Sequence, residues 1–338
     1  MTLSTRGCCL MALLLGAATA VIGPQVLELY SLLNVTIYLS LALFALSMAL
    51  VWGHAGILCF GQAIFFGLGA YAYAVAGINF GDSTCAIAVA VAVPMLFALV
   101  LGYFLFYGRL SDVYFGVITL TVTLIMLKLA NSTSGDTYLI GKAQLGGFNG
   151  MPDTPPLNVP FNPDMPLSPE AQFMLAVVLL AAAYVLCKWL VGTCFGRALA
   201  AVRENEMRAE LLGFDARRLK LAAFAIGAGI AGTAGMLFAT SVFVSPSVFS
   251  LANAAQVLIW VVIGGLGTFA GPIIACLALQ LFTAYLGTLG WVDPNIVLGS
   301  LLVFFVLLMP RGVLPPLLDG LERLSVRKAT TREVDHGL

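Results

Sequence analysis

Charge is what this sequence is shortest of: Asp, Glu, Lys and Arg make up 9% of its 338 residues, against about a quarter in soluble globular chains. With 61% hydrophobic residues beside them, there is too much apolar surface for a water-soluble core to absorb. Histidine is nearly absent. His54 and His336 are the two present, which excludes clustered His-based catalysis and any His-built metal centre. The seven cysteines lie in or beside apolar runs without a CxxC pair or metal-ligand spacing, so they read as small buried hydrophobes and imply no metal. Net charge is zero, 16 basic against 16 acidic residues, and no basic field points to nucleic acid. A phosphate loop is missing too. The nearest stretch, Gly135 to Gly141-Lys142-Ala143, has one residue too many and lacks the Ser/Thr that would hold Mg²⁺. No cofactor is implied, and no bond chemistry is expected of this chain.

What is present is a series of long apolar blocks. Crossing about 30 Å of hydrocarbon takes roughly 20 helical residues, whereas barrel strands would show alternating segments of about 10. The sequence predicts an all-α integral membrane protein with about ten transmembrane helices. They fall near 8–23, 29–52, 62–78, 85–107, 113–130, 171–191, 221–244, 254–267, 270–289 and 294–310. The first has a rival reading, because Arg6, an apolar stretch and Ala18-Thr19-Ala20 also resemble a cleavable signal peptide.

Basic residues collect in loops on the cytoplasmic side of membrane proteins. With the N-terminus inside, thirteen of the sixteen Lys and Arg fall on that face, including Arg197, Arg203, Arg208, Arg217, Arg218 and Lys220. Both termini are therefore expected in the cytoplasm. Two polar segments interrupt the spans. Residues 131–170, with seven prolines in their second half, predict an extended, irregular external cap. Residues 193–220 predict a short amphipathic cytoplasmic helix, with charges interleaved among Val202, Met207, Leu211 and Leu212. An i,i+4 pair of Glu204 with Arg208 would support it, and Gly213 would end it.

Glycine is concentrated in two places. Gly53, Gly56, Gly61, Gly67 and Gly69 fall within 17 residues, with His54 and Gln62 as polar neighbours. Gly264, Gly265, Gly267 and Gly271 form the second group. Broken helices at membrane depth are tolerated only where they are packed in protein or line a water-filled path. Paired interruptions in two halves of a transporter flag a site or gate. Gly53, His54, Gly56, Gly61, Gln62, Gly264, Gly265 and Gly267 are thus candidates for a translocation path. Tight packing of small residues and a merely packed histidine are the bland alternatives.

Several stretches carry a family resemblance: FGRALAAVRENEMRAELLGFDARRLKLAAF (195–224), AGTAGMLFA (231–239), VLIWVVIGGLGTFAGPIIA (257–275) and LLMPRGVLPP (307–316). Upstream, residues 41–74, VYFGVITLT (113–121) and LGGFNGM (145–151) follow in the same order. Over about 40–316 the chain resembles the permeases of the branched-chain amino acid and urea uptake family, ABC importers with paired, non-identical membrane subunits. The resemblance implies one transmembrane permease domain over 1–316, a polar cytoplasmic tail over 317–338 and a bacterial plasma-membrane location. It also implies a second related permease, two cytoplasmic ATP-binding subunits and an external solute-binding protein as partners. By motif, Arg203, Glu204, Asn205, Glu206, Arg208 and Gly213 would sit on a coupling helix that seats in the ATPase. Family members commonly show His where this chain has Gln62. The VWGHAGIL (51–58) and RAELLGF (208–214) stretches resemble urea-type members, so branched-chain amino acids, urea and short amides all stay open as substrates. A secondary transporter or channel is the alternative. Its intramembrane ion relay would need a mid-span acid, and none of the sixteen acids falls there.

Overall fold

The computed structural model describes residues 3–108, 110–134, 138–151, 154–159, 162–289, 296–297 and 299–300. Most of the expected span 294–310, and the tail 317–338, lie outside the described residues.

Helix α1 (Leu3–Val26) leads into α2 (Leu29–Met48), which continues as a π-helical turn over Ala49–His54. Then come α3 (Gln62–Phe80), α4 (Ser83–Tyr107) and α5 (Asp112–Ser132). A cap of two short antiparallel hairpins follows, β1 (Leu139–Ile140) with β2 (Ala143–Gln144) and β3 (Asn158–Val159) with β4 (Asn162–Pro166). After it come α6 (Pro169–Gly192), α7 (Cys194–Glu204), α8 (Glu206–Leu211) and α9 (Ala216–Ser241). A 3₁₀ turn at Pro246–Phe249 precedes α10 (Leu251–Gly264) and α11 (Ala270–Leu289). Boundaries fall where local chemistry puts them: Asp82, Ser168, Asp215 and Ser250 each accept from a backbone N–H in the first turn of the helix they precede.

Seven described helices are long and apolar enough to cross a membrane: Leu29–His54, Gln62–Phe80, Ser83–Tyr107, Asp112–Ser132, Pro169–Gly192, Ala216–Ser241 and Ala270–Thr288. The expected span at 254–267 is instead the half-length α10. Its 14 residues cover about 21 Å at ~1.5 Å per residue, and Gly265 turns the chain at φ 97°.

The interior is built around α2, α3 and α9, which bury most of their surface, while α4, α5, α6 and α11 leave broad apolar faces outward. Lipid tails are as apolar as leucine, so close approach and dispersion have to join these helices. Gly69 and Gly232 meet backbone to backbone where α3 crosses α9. On its other side Gly232 lies against the Ala90 carbonyl of α4, which Pro94 inside that helix cannot hydrogen-bond. Buried hydroxyls turn back on their own helices: Thr36, Ser47 and Thr119 donate to the carbonyls of Leu32, Phe44 and Gly116.

Candidate functional site: a joint between two broken helices

The α2 helix does not stop at Met48 but widens. Ala55 N–H reaches the Leu50 carbonyl at 3.0 Å and Ile57 N–H the Val51 carbonyl at 3.0 Å, and Gly56 then reverses the chain at φ 72°. At that reversal the first glycine group meets the second. Gly53 is packed against the backbone carbonyl of Leu266, in the turn between α10 and α11, so closely that a Cβ would collide with it. Beside it the His54 ring stacks on Phe269, 3.9 Å between centroids and 8° between planes, with Nδ1 3.1 Å from the Ala49 carbonyl. Gly264 in turn presses on Gly271, closing the α10–α11 hairpin.

The polar segment reaches into the same place. The Arg203 guanidinium, at the C-terminal end of α7, donates to the Gly53 carbonyl oxygen, and its aliphatic stem covers Gly56. From α6, Lys188 holds its ammonium 5.7 Å from the Phe269 ring centre and 5.9 Å from that of Tyr184. Two regions distant in sequence, the α10–α11 turn and the consecutive helices α6 and α7, therefore converge around the Gly53–Gly56 turn. Lys188 lies near the C-terminal end of α6. Its role here depends on Phe269 and Tyr184, which nothing local in the sequence ties to it.

Not every expected path residue is in this cluster. Gly61 abuts the Thr119 carbonyl of α5. Gln62 is fully buried, donating to the Ser47 hydroxyl at 3.1 Å while its Oε1 has no partner. Gly265 is buried and Gly267 exposed at the tip of the hairpin.

The segment expected as one amphipathic helix is two. Asn205 takes extended backbone (φ −160°, ψ 105°), and its side chain accepts from the Arg208 N–H at 2.9 Å, so it ends α7 and caps α8. Glu204 and Arg208 thus fall on different helices and do not pair. Glu206 instead meets Lys220 of α9 at 2.6 Å. Gly213, at φ 90°, returns the chain to α9. Val202, Ala209 and Ala216 form a small core beneath. Met207, Leu211 and Leu212 stay 75%, 84% and 76% exposed, three large apolar side chains on a polar segment.

A family model described as branched-chain amino acid transport system / permease component matches residues 30–309. The chain belongs to this permease family. The matched range contains every residue of the joint. Among relatives, the high-affinity branched-chain amino acid transport system permease protein LivM of Escherichia coli (strain K12) is 29% identical over 301 residues, 81% of this chain and 67% of the relative. The probable LivM of Methanocaldococcus jannaschii is 26% identical over 266 residues, 67% and 72%. LivH of Salmonella typhimurium is 30% identical over 147 residues, 42% and 47%. No solved structure matches the chain. These relatives are named as transport permeases, and this permease is a multi-pass membrane protein.

Proposed function

We propose that the chain is the membrane-spanning permease subunit of an ATP-driven ABC importer for branched-chain amino acids. It would work with a second related permease, two cytoplasmic ATP-binding subunits and an external solute-binding protein, in a bacterial plasma membrane with both termini inside. Residues 1–316 form its transmembrane domain and 317–338 a polar tail. The observation that carries this is the joint: α7 holds the backbone of the α2 break through Arg203, while α8 offers Met207, Leu211 and Leu212 to a partner. Push on α8 and the displacement passes through Arg203 to Gly53, and from Gly53 to the Leu266 turn. Glu204, Glu206 and Arg208 supply the charges around that docking face, and the glycines of the two breaks supply backbone that can shift beside the path. The names of the relatives favour branched-chain amino acids over urea or short amides.

Reconstitution with the partner subunits tests this. Labelled leucine should enter proteoliposomes with ATP, and labelled urea should not; entry driven by an ion gradient without ATP overturns the proposal. Orientation is read separately with Leu212→Cys and Phe148→Cys, both replacing exposed side chains (76% and 79%). With the exposed Cys85 and Cys194 replaced by Ser, an impermeant thiol reagent added to intact cells should label the second alone.

A further inference from the structure

A cavity of about 410 Å³ opens on the side of the molecule that carries α7 and α8, within the roughly 300–1,000 Å³ of small-molecule sites. Its floor is apolar, made by Ile57, Phe106 and Phe115, with the two phenyl rings stacked at 5.0 Å. Its walls carry charge of both signs. Asp112 at the start of α5 and Glu210 on α8 face into it, as do Arg217 and Lys220 of α9. Lys220 is satisfied by Glu206. Among the described residues Asp112, Glu210 and Arg217 have no ion-pair partner, although the Arg217 guanidinium is held over the Tyr107 ring at 5.7 Å. Unpaired charges of opposite sign around an apolar floor complement one kind of molecule: an ammonium for the two acids, a carboxylate for Arg217 in the first turn of α9, where the helix end also favours an anion, and an aliphatic side chain for the rings.

We propose that this cavity binds a small zwitterion with an apolar side chain, the free amino acid on the cytoplasmic side, and that occupancy slows import. The proposal rests on the importer assignment above. The geometry supplies the regulatory sense. One wall of the cavity is α8, through Glu206, Met207 and Glu210, and its floor includes Ile57, the residue after the Gly56 reversal. A ligand bridging Asp112, Glu210 and Arg217 ties α8 to the α4–α5 connection and to α9, and so resists the displacement that has to pass along α7. Accumulated product would then brake its own entry. A phosphatidylethanolamine headgroup carries the same ammonium-and-anion chemistry, so the source of the ligand has to be separated by experiment.

The test uses the assembled transporter in phosphatidylcholine proteoliposomes, with leucine either absent from the lumen or loaded there at millimolar concentration. Wild-type initial uptake is expected to fall about fivefold with lumenal leucine, the low end of ordinary coupling between sites. Asp112→Asn and Arg217→Gln should each transport normally into empty vesicles and lose this inhibition. Equilibrium dialysis of labelled leucine against the purified chain in phosphatidylcholine nanodiscs reads the site without transport, and either variant should weaken binding about tenfold. Normal wild-type import unaffected by lumenal leucine, or inhibition equal in wild type and both variants, overturns the cavity proposal and leaves the importer assignment standing. No import by the wild type at all overturns the importer assignment and this inference with it. Slowing that follows phosphatidylethanolamine content with an empty lumen, and disappears in the variants, assigns the site to the lipid headgroup and overturns the free amino acid.

Discussion

Two polar stretches lie between the described spans, the hairpin cap and the α7–α8 segment, and they are held in different ways. The cap is tied to neighbouring helices along its length. Asn79 of α3 donates to the Ile140 carbonyl at 2.8 Å and accepts from the Lys142 N–H at 2.7 Å. Ser83 bonds both the N–H and the carbonyl of Asn158 at 3.1 Å, Tyr73 donates to the Pro155 carbonyl, and Met151 N–H reaches the Val244 carbonyl at 2.9 Å. By contrast α8 has the Glu206–Lys220 pair, the small core around Ala209, and otherwise exposed side chains. The lesson is mechanical: one stretch is clamped as a lid on the helices, and the other is a short lever free at its outer face.

The difference can be broken most severely by Glu204→Lys with Glu206→Lys, which places two cations at the docking face and repels Lys220. Uptake should be lost, with membrane abundance retained and co-purification of the ATPase reduced. Wild-type uptake would show that the lever is idle. Next comes Arg203→Ala. A hydrogen bond from a charged donor contributes about 1.5 kcal/mol at the low end, suitable for a side chain that reaches solvent, so transport should drop roughly tenfold while ATP hydrolysis continues. Arg203→Lys should restore part of it. Gly213→Val puts a β-branched residue at φ 90°, a cost of about 1–3 kcal/mol, and should reduce the leucine transported per ATP several-fold by shifting α8. The smallest transport effect is expected in the cap: Asn79→Ala removes the two bonds to it, at about 1 kcal/mol each. Thermal unfolding and proteolysis near Ile140 should reveal the loosened cap with uptake little changed. A large transport defect there would erase the contrast between lid and lever.

The membrane class and most span positions were legible because long apolar runs are a strong signal, and Gly213 and the two glycine groups were legible because glycine marks backbone that other residues avoid. The break at Asn205 was not. Within a helical pattern an asparagine is tolerated, and only the cap it makes to the Arg208 N–H turns it into a boundary. Strands of two residues, as in β1 to β3, are too short for alternation to register. The contact from Arg203 to Gly53 joins residues 150 apart, and no local pattern encodes a partner at that distance. Nor could composition reveal that α10 is half-length, since Gly264-Gly265 marks an interruption without saying at what depth.

The continuous helix from Leu29 to His54 has 26 residues, against 19 in α3, which at ~1.5 Å per residue is about 39 Å against 28 Å. Only about 30 Å of that fits within the hydrocarbon of an ordinary bilayer. The surplus has to be taken up by tilt or by overhang, and the Gly53–Gly56 reversal sits at its very end. On the coupling proposed above, a bilayer thickness that changes the tilt or overhang of this helix would act on the Arg203–Gly53 contact as a push on α8 would.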